Sequence, residues 1–242
     1  MRVAVDLHIH SALSPCSDNE MTPNNIVHMA KLKGLTMIAV TDHNSAENLQ
    51  AISCCAREQG IILVPGLEVE TKEEVHVICL FKTLEKAIKM QEKVYAALPD
   101  IQNREDIFGQ QLIMNEEDVV SGTIRRMLIT ATGLSLDEVF QLVKSLEGVA
   151  IPAHVDRESY SILSNLGLIP EHLDIRYLEV SKGCNLEEFK KKNPRLEKYH
   201  LIKSSDAHRL GDIMERESFI ELDGLSVENL IEALKGKSLN KQ

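Results

Sequence analysis

Apolar positions along this chain follow two alternating rhythms. Short runs rich in Val, Ile and Leu read as buried strands, and longer stretches with apolar residues three and four apart read as amphipathic helices. The first strand is "RVAVDLHIH". A helix follows, entered at Thr22-Pro23, with Ile26, Val27, Met29, Ala30 and Leu32 as its apolar face and Gly34 as its stop. "LTMIAVTDH" is the next strand, and the pattern predicts a helix from Ser45 to about Gln59, closed by Gly60. "IILVPGLEVE" and "EVHVICLF" are two strands with a tight connection. "GVAIPAH", "DIRYLEVSKG", "YHLIKSSDAH" and "SFIELDG" complete the strands, and a last helix starts near Ser226.

Strand and helix alternating in this way imply an α/β fold with a mostly parallel sheet and crossover helices. About seven or eight strands in a domain of this length favour a closed, barrel-like sheet over an open one. The rhythm breaks from about 83 to 146, where the pattern is helical with no convincing strand. That is too long for one crossover and reads as a helical insertion in a single domain spanning 1–242.

Composition narrows the class. The chain is 43% hydrophobic and 26% charged, as expected of a water-soluble globular protein. Its net charge of −10 argues against a broad footprint on duplex nucleic acid. It leaves room for a small anionic substrate, because bound metal ions reverse the local field. The N-terminus enters a strand without an apolar leader, and no run reaches membrane-spanning length. The cysteines Cys16, Cys54, Cys55, Cys79 and Cys184 are odd in number and include no CxxC pair. A reduced, cytoplasmic protein is the simplest reading.

The candidate chemistry lies in the histidines. His8, His10, His43, His76, His154 and His208 fall in strand-like runs or at their tips, and Asp18, Glu68 and Asp206 stand at similar places. Strand ends of a parallel barrel open on one face, so positions far apart in sequence converge there. Residues i and i+2 of a strand project to one side, so His8 and His10 reach one ion together, as do Asp206 and His208. Imidazole and carboxylate suit zinc, manganese or iron, and a site without thiolates keeps coordination open to water. His28, His172 and His200 read as surface or core histidines, and Cys54 and Cys55 as helix packing. Cys16, flanked by Ser and Pro, reads as a loop residue outside the site.

Together, "DLHIHS", "GLTMIAVTDHNS", "VPGLEVET", "IPAHVD" and "SSDAH" resemble, in order and position, the motifs of the PHP (polymerase and histidinol phosphatase) family. The resemblance implies a distorted (β/α)7 TIM-like barrel holding two to three divalent ions, and a phosphoesterase acting through metal-bound hydroxide. It implies that His8, His10 and Asp206 hold a first metal and that Glu68 bridges to a second, completed by His76 and His154. It makes Asp18, His43 and His208 ligands of a third. Asp18, an acid where some members have histidine, is nearer the branch acting on nucleotides, although it stands further from the first motif than in that branch. Catalysis is expected to depend on His8, His10, Glu68, Asp206 and His208. Asp6 and Asp42 are placed to orient histidine rings, or to serve as turn and cap residues.

Arg157, Arg209 and Lys182 adjoin these motifs and are candidates for binding a non-reacting end of the substrate. With four Tyr, five Phe and no Trp, a long stacking platform for single strands is not expected. The expected partner is therefore a small phosphorylated metabolite or nucleotide. The rival readings are a short-oligonucleotide exonuclease, an amidohydrolase-type C–N hydrolase, and a metal-stabilised binding protein without catalysis.

Overall fold

A computed structural model describes residues 1–236; the last residues of the expected domain span, 237–242, lie outside it. In chain order the elements are β1 (Arg2–Ile9), α1 (Pro23–Leu32), β2 (Met37–Val40), α2 (Leu49–Gln59), β3 (Ile62–Glu70), β4 (His76–Leu80), α3 (Leu84–Ala97), α4 (Glu105–Phe108), β5 (Leu112–Met114), β6 (Val120–Thr123), α5 (Leu136–Ser145), β7 (Val149–Pro152), α6 (Ile162–Leu166), β8 (Tyr177–Ser181), α7 (Leu186–Lys192), β9 (His200–Ser204), β10 (Phe219–Glu221) and α8 (Val227–Leu234).

Local chemistry sets several boundaries. Thr22 caps α1 by accepting the Asn25 N–H, with Pro23 at its first turn. α2 ends at Gly60, whose φ of 71° is the left-handed cap conformation. It begins at Leu49, later than expected, because the residues before it bind elsewhere. Asn48 donates to Ser11 Oγ and the Leu112 carbonyl, and Gln91 Oε1 accepts from Ser45 Oγ. A reciprocal Ser135–Glu138 capping box opens α5.

A curled six-stranded sheet runs in the order β10-β1-β2-β3-β4-β7, and β8 pairs with β9. The sheet is mixed rather than mostly parallel. β1, β2 and β3 are parallel, while β4 is antiparallel to both β3 and β7. The tight connection from β3 to β4 requires this, since a parallel pair needs a long crossover. The Val155 N–H donates to the Glu179 carbonyl beyond β7, and Ala207 after β9 bridges Ile9. These contacts bring β8 and β9 round to meet β1.

Strand residues are buried on both faces, as expected where helices cover a sheet. Val5 and Leu7 join one core cluster with Leu230 and Ile231 of α8, whereas Ile38 and Val40 join another with Ile26 and Ile52 of α1 and α2. Among the described residues, no helix is long and apolar enough to cross a membrane.

The expected helical insertion needs a correction. Residues 83–146 contain α3, α4 and α5, but also the hairpin β5–β6. β6 reads "VSGT", short and mostly exposed, so it lacks the alternating pattern that marks a half-buried strand.

Candidate metal centre

The site forms where several strand ends meet. β1 delivers His8 and His10, and their Nε2 atoms lie 3.0 Å apart. His43 follows β2, Glu68 lies within β3, His154 follows β7, and Asp206 and His208 follow β9. His76 begins β4 rather than ending it, and only the reversed direction of that strand brings it to the same face.

Glu68 is the hub. Its carboxylate lies 2.9 Å from His76 Nδ1, 3.0 Å from His43 Nδ1, 3.3 Å from His8 and His154 Nε2, and 3.4 Å from His10 Nε2. Asp206 Oδ1 sits 3.2 Å from His8 Nε2 and 3.0 Å from His10 Nε2. His8, His10 and Glu68 are each at most 1% exposed.

Charge is concentrated to match. Burial disfavours a charged His8 ring, but Glu179, Glu68 and Asp206 hold its pKa well above the ordinary value. Burial and the charges on His208 and His43 press His10 well below it. The Glu68 carboxyl would rise on burial, yet His76, His8 and His43 hold it well below the carboxylate range, and His8 and His10 do the same for Asp206.

The donor set fits divalent cations. His10/His43/His208, His8/His10/Glu68 and His43/Glu68/His76 each present ligand atoms within 4.8 Å of one another. Buried Glu68 Oε2, His43 Nδ1 and His154 Nδ1 lack a hydrogen-bond partner. His43 Nδ1 and Glu68 Oε2 are close enough to bond but not aligned for it. Buried polar atoms left unmatched cost free energy, and a shared cation removes that cost. Four residues at the site hold positive φ, namely Asn44 (52°), His154 (30°), Tyr160 (54°) and Asp206 (50°); such strain recurs where a site must be shaped.

Asp18 does not join this group. It is exposed, and its Oδ1 accepts the Glu20 N–H at 3.1 Å. Cys16 is exposed as well. Desolvation would push its thiol up, but His43 and His208 bring it down to about 6.

Asp6 and Asp42 do not touch the rings directly. Asp6 accepts the N–H groups of Ser205 and Met214, pinning the chain around Asp206. Asp42 accepts from Ser11 and Ser14, and Ser14 Oγ lies 2.9 Å from His10 Nδ1. The carboxylate on His8 is Glu179, with oxygens 3.0 and 3.1 Å from Nδ1. The signal was present, since Glu179 is a charged residue inside the apolar strand run "YLEVS".

A cavity of about 180 Å³ opens onto His43, Glu68, His76, His154, Asp206 and His208. Arg157, Ser159 and Tyr160 border it. Arg157 Nη1 donates to Asp206 Oδ2 at 2.6 Å, and the Tyr160 ring lies 4.9 Å from that of His76. The other two candidate cations are elsewhere. Lys182 Nζ donates to the Asp212 carbonyl, and exposed Arg209 does not line the cavity. His28, His172 and His200 are exposed.

Residues 6–202 match the PHP domain. The chain belongs to the PHP domain family. Over 78 residues, 31% of the chain, this PHP protein is 33% identical to a 5'-3' exoribonuclease of Haemophilus influenzae. Over 79 residues it is 30% identical to a 3',5'-nucleoside bisphosphate phosphatase of Chromobacterium violaceum, again covering 31% of the chain. Each match spans only 27% of the relative. In fold it is similar to the lesion-specific endonuclease PfuEndoQ of Pyrococcus furiosus, with a TM-score of 0.67 and 22% identity over 98% of this chain and 56% of that one. A further Endonuclease Q structure (TM-score 0.71, 21% identity, covering 98% and 57%) holds a 27-mer duplex with an abasic lesion at its active site.

Proposed function

We propose that this PHP-family chain is a metal-dependent phosphoesterase that hydrolyses the phosphorylated end of a nucleotide or short nucleic acid. The observation that carries the reading is Glu68, one buried carboxylate within 3.4 Å of five imidazoles. Packing alone gives no reason for that assembly. We read the curled sheet with β8 and β9 as a single distorted (β/α)7 barrel with 83–146 inserted.

His8, His10 and Asp206 would hold one ion, Glu68 would bridge to a second with His76 and His154, and His43 and His208 would border a third. Zinc, manganese or iron suits these donors. Such ions, when bound, lower the pKa of water and neutralise charge on a transferring phosphoryl group.

The cavity is smaller than the roughly 300–1,000 Å³ of sites that enclose a whole ligand. It therefore takes a substrate end-on. Arg157, now paired with Asp206, is positioned to turn its guanidinium onto phosphate oxygens. Exposed Tyr160 offers a stacking face at the cavity edge for a base or sugar just outside it. The relatives named for bisphosphate-phosphatase and exoribonuclease activity support a nucleotide-type substrate. Only the net charge of −10 speaks against a duplex substrate, and a duplex-bound protein of similar fold argues for testing it. A C–N hydrolase is disfavoured because, among the described residues, no lysine lines the cavity to form a bridging carbamate.

The test combines metal analysis with a substrate panel of a nucleoside 3',5'-bisphosphate, a short 5'-phosphorylated RNA, an abasic duplex and an amide. Two to three ions per chain are expected, on the order of what a multi-metal phosphoesterase carries. Phosphate-ester hydrolysis should be lost in His8→Ala. Full turnover in His8→Ala, or activity on the amide alone, would overturn the proposal.

A further inference from the structure

We propose that Ser14 is a positioning residue of the metal centre: its hydroxyl holds the His10 ring with the proton on Nδ1 and the Nε2 lone pair facing Glu68 and Asp206. The inference rests on the metal-dependent reading above and deepens it by naming what orients a ligand from the turn after β1.

Counting hydrogen bonds carries it. His10, Ser11 and Ser14 are fully buried and Asp42 is 2% exposed, so their polar atoms must be matched inside the protein. Ser11 Oγ accepts the Leu13 N–H at 3.2 Å and an Asn48 amide N–H at 3.0 Å, which uses both its lone pairs. Its own proton therefore goes to Asp42 Oδ2, 2.6 Å away. Asp42 Oδ1 accepts the Ser11 N–H at 2.7 Å and lies 2.6 Å from Ser14 Oγ. Asp42 is thus an acceptor on both oxygens, and the Ser14 proton is committed to it. Ser14 Oγ keeps two lone pairs. One accepts the His43 N–H at 3.2 Å, and the other faces His10 Nδ1 at 2.9 Å. An oxygen whose proton is already given can only accept, so the imidazole must carry its hydrogen on Nδ1. The opposite nitrogen, Nε2, is left 3.0 Å from Asp206 Oδ1 and 3.4 Å from Glu68 Oε2.

One hydroxyl thereby ties two ligand segments to one carboxylate: the His10 ring after β1 and the His43 backbone after β2. His10, His43 and His208 present nitrogens within 4.8 Å of one another, and Ser14 sets the spacing of the first two. His8 is held differently, with the Glu179 carboxylate directly on its Nδ1. For His10 a hydroxyl backed by Asp42 gives the same orientation without a charged group against the ring.

The test uses the full chain, labelled with ¹⁵N and loaded with zinc. Long-range ¹H–¹⁵N correlation should find the His10 proton on Nδ1, exchanging slowly with water. In Ser14→Ala that proton should exchange fast, and zinc affinity, read by competition with a chelator, should fall about 10–100-fold, as when a ligand loses its outer partner. Ser14→Thr keeps the hydroxyl and should recover both. A purely structural role for Ser14 would lower Tm without moving the His10 proton. The wild-type spectrum needs no variant and reads the tautomer even where Ser14→Ala fails to fold. A His10 proton on Nε2 overturns the proposal, as does a Ser14→Ala protein with wild-type affinity and a slowly exchanging Nδ1 proton, or a Ser14→Thr protein that binds zinc no better than Ser14→Ala. Failure of wild type to bind any metal would instead sink the proposed function itself, so the two failures are distinguishable.

Discussion

Glu179 shows how much of a metal centre depends on groups that never reach the metal. Its carboxylate sits against His8 Nδ1, is fully buried, and leaves Nε2 facing His10, Glu68 and Asp206. An outer carboxylate of this kind fixes the ring and raises its basicity. Glu179→Gln should therefore weaken metal affinity by about 10–100-fold while leaving the fold intact. Metal titration alongside circular dichroism checks this, and unchanged affinity would show that His8 is oriented by packing alone. At the same scale, Arg157→Lys replaces a fork by a point charge and should raise KM for a phosphorylated substrate more than it lowers kcat. Steady-state kinetics on whichever panel substrate is turned over reads that split.

At the scale of elements, the segment 83–146 is tied into the site rather than laid beside it. The Leu112 N–H donates to the Ala12 carbonyl, and Ala12 packs with Leu112 and Met114 in a small cluster of its own. Asn44, next to His43, donates to the carbonyls of Leu128 and Thr130 and accepts the Glu70 N–H. The loop carrying Cys16 thus owes its position to the hairpin and α4. Gly109→Ala tests that link, since φ of 94° and a backbone oxygen at 2.1 Å both oppose a side chain. It should cost about 1–3 kcal/mol of stability by forcing the loop after β1 away from Gly109. Thermal unfolding measures the effect, and an unchanged Tm would detach the insertion from that loop.

Across the whole molecule, charge and stability meet at one place. The protein carries a net charge of −10, yet its buried centre gathers more imidazoles than carboxylates around unmatched polar atoms. Ions that bind the folded state and not the unfolded chain stabilise by mass action, about 2.7 kcal/mol at a hundredfold excess over Kd. Stripping metal with a chelator should lower Tm, and adding back zinc should restore it, both read by calorimetry. A Tm insensitive to metal would mean that the centre stands as built without ions.

The sequence by itself determined the strands outside 83–146, the ends at which histidines and acids collect, and the helix boundaries at Thr22, Gly60 and Ser226. Those features depend on neighbours along the chain, through periodicity, capping and the i, i+2 geometry of a strand. Only the tertiary structure decided that β4 runs backwards and so delivers His76. It alone selected Glu179 as the partner of His8, brought Arg157 to the cavity, left Lys182 and Arg209 outside, and turned Asp18 to water. Each of those outcomes depends on which distant backbone groups hold a loop. The chain around Asp18 carries no local sign that the carbonyl of His208 is waiting for its N–H.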